Sequence, residues 1–211
     1  NSSKEEAEET AHAATRQGGT IHLVQADLTT EEGTQKLFDA VQNTFDGVDV
    51  LVNNAGSLVE RQEATELTWD LMETSFRLNV FSVMKLTSLC IPLLKKGDDP
   101  QVINITSIAM RHGAPTATIY GATKGALDSF TRGTASELAP DIRVNAVAPG
   151  VIATPFHERF STPERMKSFA EKTPLKRNGK TMHIASAIKF LVENDFITGE
   201  TIDVNGGLFM R

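Results

Sequence analysis

Short β-branched runs alternate with longer stretches of helical periodicity along this chain, and that alternation limits the fold more than any other feature. Thr20 to Ala26 reads as a buried strand, as do Val48 to Val52, Val102 to Ile105, Ile142 to Val147 and Thr201 to Val204. Helical patterns lie between them. Ser3 with Glu6 makes a capping box that opens a helix through Ala14, and Gly18-Gly19 closes it. Thr29 with Glu32 repeats the cap ahead of a helix with Leu37, Phe38, Val41 and Phe45 on one face. Thr68 to about Lys96 is a third helix and Thr118 to Leu138 a fourth. Two further helical stretches, one opened by Thr162-Pro163, precede the last strand. Strands that alternate with helices pair in parallel, so the expected class is α/β with a doubly wound parallel sheet. There is no internal repeat and no linker rich in Gly, Ser or Pro, so residues 1–211 read as one domain.

Composition removes several functions. The net charge is -6, with acids and bases interleaved, and no basic cluster offers a footprint for nucleic acid. The longest apolar runs are interrupted well short of the ~20 residues that a membrane span needs. The start, Asn1-Ser2-Ser3-Lys4-Glu5-Glu6, is too polar for a signal peptide. The single cysteine, Cys90, lies in an apolar helical stretch; it reads as a buried structural thiol and fits a reducing cytoplasm. The five histidines lack ligand spacing, so no metal site is expected. His112 reads as a solvated loop residue, with a substrate contact as the alternative.

The chemistry is carried by Ser107, Tyr120 and Lys124, with Asn79 upstream. Tyr120 and Lys124 are four apart on a predicted helix and so share a face. Ser107 follows a strand end, where open α/β sheets place their ligands. A Tyr-x-x-x-Lys pair alone would arise by chance beside about one tyrosine in 15, and a packed surface tyrosine would explain it as well. Here Tyr120 is the only tyrosine.

Several segments together resemble the short-chain dehydrogenase/reductase family: Asn53-Asn54-Ala55-Gly56 after a strand, Asp27-Leu28 after an earlier one, and Asn79 within Leu78-Asn79-Val80. Ser107, Tyr120 and Lys124 match its catalytic trio, Pro149-Gly150-Val151-Ile152-Ala153-Thr154 its Pro-Gly turn, and Ile197 to Glu200 with Val204 to Gly207 its closing strand. The resemblance spans nearly the whole chain in the correct order. It implies a Rossmann fold and hydride transfer between a nicotinamide cofactor and a ketone or secondary alcohol. Tyr120 would be the proton donor and acceptor, and Ser107 would hydrogen-bond the substrate oxygen. Lys124 would tune the phenol and hold the nicotinamide ribose beside Tyr120, and Asn79 would hold a water that returns protons. A free phenol has a pKa of ~10; a nearby ammonium and the positive oxidised nicotinamide would both lower it. Asp27, Leu28, Asn54, Ala55, Gly56, Pro149, Gly150, Ile152 and Thr154 would line the cofactor cleft, and residues 156–180 would form a substrate lid.

The family's Gly-rich phosphate loop has no counterpart here. The natural polypeptide is therefore expected to extend roughly 30 or more residues before Asn1, supplying the first βαβ portion of the sheet. Asn1-Ser2-Ser3 would lie near the adenosine 2′ position, where hydroxyls without an acid favour NADP over NAD. Three readings stay open. One is an NADPH-linked ketoreductase resembling 3-oxoacyl-carrier-protein reductases, suggested by Val204 to Met210. Ser136, where that group offers an arginine, counts against it. The second is a sugar, polyol or other small-alcohol dehydrogenase, and the third is a non-catalytic binding member of the fold. The partners expected are a small carbonyl or alcohol substrate, free or carrier-bound, and three further copies of the chain. A homotetramer would bury apolar surface of the helices at 68–96 and 118–138 that one sheet face leaves uncovered.

Overall fold

In the computed structural model, residues 4–210 are described. Four strands, β1 (Val50–Asn53), β2 (Gln101–Ile105), β3 (Arg143–Pro149) and β4 (Thr201–Val204), pair in parallel in the order β1-β2-β3-β4. Among the described residues nine α-helices surround them: α1 (Lys4–Arg16), α2 (Glu31–Gln42), α3 (Trp69–Phe76), α4 (Ser82–Leu94), α5 (Ala109–His112), α6 (Thr118–Leu138), α7 (Pro155–Phe160), α8 (Pro163–Lys172) and α9 (Thr181–Glu193).

Both sheet faces are covered, as a parallel sheet requires. Leu51, Val102 and Val144 face one side and pack with Leu37 and Phe38 of α2, Leu86, Cys90 and Leu94 of α4, and Ala135 of α6. Val50, Ile103, Ile105 and Val147 face the other, against Ile184, Ile188 and Leu191 of α9. The alternation follows from the two-residue period of a strand. Burial pushes the Cys90 thiol up to about 11, which suits an inert core residue. At the end of the sheet where β3 begins, the Arg143 guanidinium donates to the carbonyls of Leu191, Asn194 and Ile197 and pairs with Asp99. It thereby satisfies carbonyls that the C-terminus of α9 leaves without intrahelical donors.

Three expectations are corrected, and one lies outside the described residues. Thr20 to Ala26 does not form a strand: it meets no partner ladder among the described residues, and Ile21 and Leu23 are 40% and 51% exposed. A strand is stabilised by pairing, so a strand-like pattern without a neighbouring edge stays open. The second helix is capped by Thr30, whose side chain accepts from the Gly33 N–H, because the Thr29 hydroxyl is donated to Asp27. The capping box at Ser3 lies outside the described residues. The helix expected over 68–96 runs over Trp69–Leu94, and its 26 residues are long and apolar enough to cross a membrane by composition. It is instead a core helix, with Val83, Leu86, Cys90, Leu93 and Leu94 buried.

This long helix is also not uniformly α. Arg77–Phe81 form a π turn between α3 and α4. The Ser82 N–H reaches back five residues to the Arg77 carbonyl. That step takes the normal donor away from the Leu78 carbonyl, and the Ser82 hydroxyl replaces it at 2.5 Å. The wider turn pushes Asn79 out of the helix, fully buried, toward the loop after β1.

Candidate active site

The carboxyl ends of β1, β2 and β3 open into a cleft of about 770 Å³. A buried polar chain fixes the floor beneath it. Asn53 Nδ2 donates to Thr87 Oγ1 at 3.1 Å and to Asn104 Oδ1 at 2.9 Å, and Asn104 Nδ2 donates to Thr131 Oγ1 at 2.9 Å. These bonds tie β1 and β2 to α4 and α6, and the chain ends on the Leu127 carbonyl. A buried network with its members satisfied stiffens what it joins. Sequence reading placed Asn53 in a motif but missed this partnership, which depends on residues 34 and 51 positions away.

Asn79 takes hold of the loop above the floor. Its Oδ1 accepts from the Ser57 N–H at 2.9 Å and its Nδ2 donates to the Ser57 carbonyl at 2.8 Å. The amide thus imitates a strand partner and orders the segment that contains Gly56. A Cβ on Gly56 would stand 2.8 Å from Asn79 Oδ1 and 3.1 Å from Lys124 Nζ, so only glycine lets these three groups converge. Gly150 is restricted in a similar way, since a Cβ there would meet Asn205 Cα at 2.7 Å.

Lys124 is buried, and its ammonium donates to the Ile105 carbonyl at 2.7 Å. Burial pushes its pKa down to about 8. Its Nζ lies over the Tyr120 ring, 5.7 Å from the centroid. Tyr120 is one helical turn earlier on α6, half-buried in the cleft wall. Loss of solvation pushes its phenol above the ordinary value, while the Ser107 hydroxyl acts in the opposite direction by favouring phenolate. The expected downward pull of Lys124 on the phenol is not a leading influence, because burial dominates and the ammonium sits over the ring face. Ser107 itself is buried, and its Oγ accepts from the Ala109 N–H at 3.1 Å. Across the cleft the Phe156 ring lies 6.1 Å from Tyr120.

The cleft therefore brings together Asn54, Gly56, Ser107, Tyr120, Lys124, Pro149, Gly150, Ile152 and Thr154, with Asn79 directly behind Gly56. Ala55 is exposed beside it and does not line it. Asp27 and Leu28 are also outside the lining. Asp27 is at the surface, and its Oδ1 accepts from the Thr29 hydroxyl and N–H, which hold the carboxyl below its usual range. Asn1-Ser2-Ser3 lie outside the described residues. Phe156, Arg165 and Phe169 bring the segment over 156–180 to the cleft wall. Arg61 and His112 also line the cleft. Sequence reading weighed His112 and passed over Arg61, which sits in an irregular loop and belongs to no motif.

Comparisons with known proteins bear on the family and the fold. A family model described as enoyl-(acyl carrier protein) reductase matches residues 1–209. General stress protein 39 of Bacillus subtilis is 36% identical over 98% of this chain and 72% of its own length. The chloroplastic NADPH-dependent aldehyde reductase 1 of Arabidopsis thaliana is 37% identical over 87% of this chain and 65% of its own length. The chain thus spans between about two thirds and three quarters of these relatives. Among solved structures, a short-chain dehydrogenase/reductase from Brucella melitensis, described as a glucose/ribitol dehydrogenase, superposes with a TM-score of 0.86 at 36% identity. That superposition covers 97% of this chain and 84% of the other. With sequence and fold in agreement over almost all of its residues, the chain belongs to the short-chain dehydrogenase/reductase family of oxidoreductases.

Proposed function

We propose that this chain supports hydride transfer between a nicotinamide dinucleotide and the carbonyl or alcohol carbon of a small molecule, with Tyr120 moving the proton. The observation that carries this reading is the convergence of Ser107, Tyr120 and Lys124 at the end of β2, facing Gly56 across one cleft. The residues present fit the nicotinamide end of such a cofactor. Gly56 presents bare backbone there, and Lys124 has spent one of its three donors on Ile105, which leaves others for ribose hydroxyls. The cofactor supplies or accepts the hydride. In the reducing direction Tyr120, kept neutral by burial, donates its phenolic proton to the substrate oxygen. Ser107 donates a hydrogen bond to that same oxygen and steadies the developing charge. Asn79 holds the Ser57 backbone and so orders the loop that carries Gly56.

The names of the relatives, an NADPH-dependent aldehyde reductase and a glucose/ribitol dehydrogenase, support a small aldehyde, alcohol or polyol as substrate. The first name supports NADP as the cofactor, while a similar solved structure is titled an NADH-dependent reductase. The description of the family model supports a second reading, a reductase of substrates bound to an acyl carrier. A homotetramer is part of the proposal, supported by the exposure of Trp69 (78%) and Phe81 (54%) on the long helix. Cytoplasmic residence is another, supported by a free and buried Cys90. A panel of ketones and alcohols with each cofactor tests the reaction class. Tyr120→Phe should lower turnover by at least about 100-fold, the scale of general acid catalysis, with cofactor affinity nearly unchanged. Retention of activity within a few-fold would sink the mechanism.

A further inference from the structure

The chain is acidic overall, with 27 acids against 21 bases, yet no Asp or Glu lines the cleft among the described residues. Arg61, Lys124 and Arg165 do. Lys124 has a role in the mechanism above; the two arginines do not. Arg61 is half-buried and held from two sides: Nε donates to the Phe160 carbonyl at 3.4 Å and Nη1 to Thr116 Oγ1 at 3.3 Å. Arg165 projects from α8 over the Phe169 ring, 5.6 Å from its centroid. Neither forms a salt bridge among the described residues. Burial, and then the charge of Arg165, push Arg61 below its ordinary value, so the two guanidiniums are close enough to repel.

The local backbone is strained where Arg61 is anchored. Thr116 and Val59 both have φ of 64°, in the left-handed region, and the Gln62 N–H donates to the Thr116 carbonyl at 2.9 Å. Such conformations persist where the surroundings enforce them, and they concentrate at functional sites. Here they set a cation in the cleft wall. Its position is beyond Tyr120: the Phe156 ring contacts Tyr120 on one side and Phe160, at 5.1 Å, on the other, and the Phe160 carbonyl holds Arg61. Two like charges facing one cleft, without a counter-ion among the described residues, are unfavourable alone, and an anion between them relieves both. The planar guanidinium fork suits a carboxylate or a phosphate.

We propose that Arg61 and Arg165 form an anion-binding subsite, and that the substrate carries a carboxylate or a phosphate ester on the side of its reacting carbon that faces α7 and α8. This deepens the hydride-transfer reading and rests on it for the reaction. The test measures kcat/KM for levulinate against methyl levulinate, and for dihydroxyacetone phosphate against dihydroxyacetone, in the wild type, Arg61→Gln and Arg165→Gln. Arg165 is exposed on a surface helix, so its variant remains informative if Arg61→Gln fails to fold. Loss of one charged hydrogen-bond donor should lower the preference for the anion over its neutral partner at least about tenfold, chiefly through KM. The pair that responds tells carboxylate from phosphate. An unchanged preference in both variants overturns the proposal, as does loss of NADPH affinity in fluorescence titration in place of loss of substrate affinity. Turnover confined to carrier-bound thioesters overturns it as well. If the wild type turns over none of these compounds, the hydride-transfer reading fails with small substrates. Calorimetric titration with levulinate and inorganic phosphate then decides the subsite alone: binding that weakens in Arg165→Gln sustains it, and binding equal in all variants, or absent, overturns it.

Discussion

Replacing Lys124 with Met should make the protein more stable while removing its activity. The ammonium is buried, with a pKa lowered from 10.5 to about 8 by burial. At neutral pH both the folded and the unfolded chain hold this proton, so the full shift is an unfavourable contribution of about 3 kcal/mol to folding. Methionine fills similar space without charge, but it leaves the Ile105 carbonyl without its 2.7 Å donor, which costs about 1–2 kcal/mol. The net gain expected at pH 7 is then about 1–2 kcal/mol. The pH dependence gives a sharper check. Between the folded pKa near 8 and the unfolded value of 10.5, the unfolded chain binds more protons, so wild-type stability rises with pH across that window. The variant lacks this rise, and its advantage should shrink by about 1 kcal/mol between pH 7 and pH 9. Burial raises the pKa values of Cys90 and Tyr120, whose contributions fall at alkaline pH, but subtracting wild type from variant cancels them. Urea denaturation of both proteins across this range gives the difference directly. An advantage that is constant with pH, or grows with it, would refute the reasoning.

Three other outcomes follow from the site. Gly56→Ala should lower kcat/KM at least about tenfold with the fold intact, because its Cβ would displace the Asn79 amide and the Lys124 ammonium; an unaffected enzyme would mean that the convergence is incidental. Asn79→Ala leaves the Ser57 N–H and carbonyl without partners and should cost about 2–4 kcal/mol in chemical denaturation, and a loss below about 1 kcal/mol would show that the loop satisfies itself. Light scattering at micromolar concentration should give the mass of a tetramer, and a monomer mass would remove the interface proposed for Trp69 and Phe81.

Local pattern was a good guide wherever the fold supplied the partners that the pattern implied. The segments at 48–52, 102–105, 142–147 and 201–204 became β1 to β4 with shifts of a residue or two, and the helix at 118–138 has the expected ends. Thr20 to Ala26 shows the limit, since its alternation is as strand-like as the others but no edge receives it. The π turn was illegible for a different reason. One extra residue in a turn barely alters an apolar stripe, and its only trace in sequence is a buried asparagine followed three residues later by a serine that satisfies the orphaned carbonyl. Ser107, Tyr120 and Lys124 were legible because their spacing on strand end and helix decides their geometry. Arg61 was not, because a loop puts it in the cleft through contacts 55 and 99 residues away.

The clamp at Arg143 has a mechanical consequence. With three carbonyls at and beyond its C-terminus bound to one guanidinium, α9 is a fixed post at the far end of the sheet. The lid that the family resemblance implies for α7 and α8, here called the cover, joins that post through residues 173–180, where Lys176 adopts φ 54° and Gly179 bridges to Ile152. Any swing of the cover must therefore be absorbed in this short connection and at Thr154, its other attachment. Thr154 lines the cleft, and Gly179 sits against Ile152, which also lines it. The pivots and the reaction site thus share one wall, so opening the cover would reshape the cavity as well as uncover it.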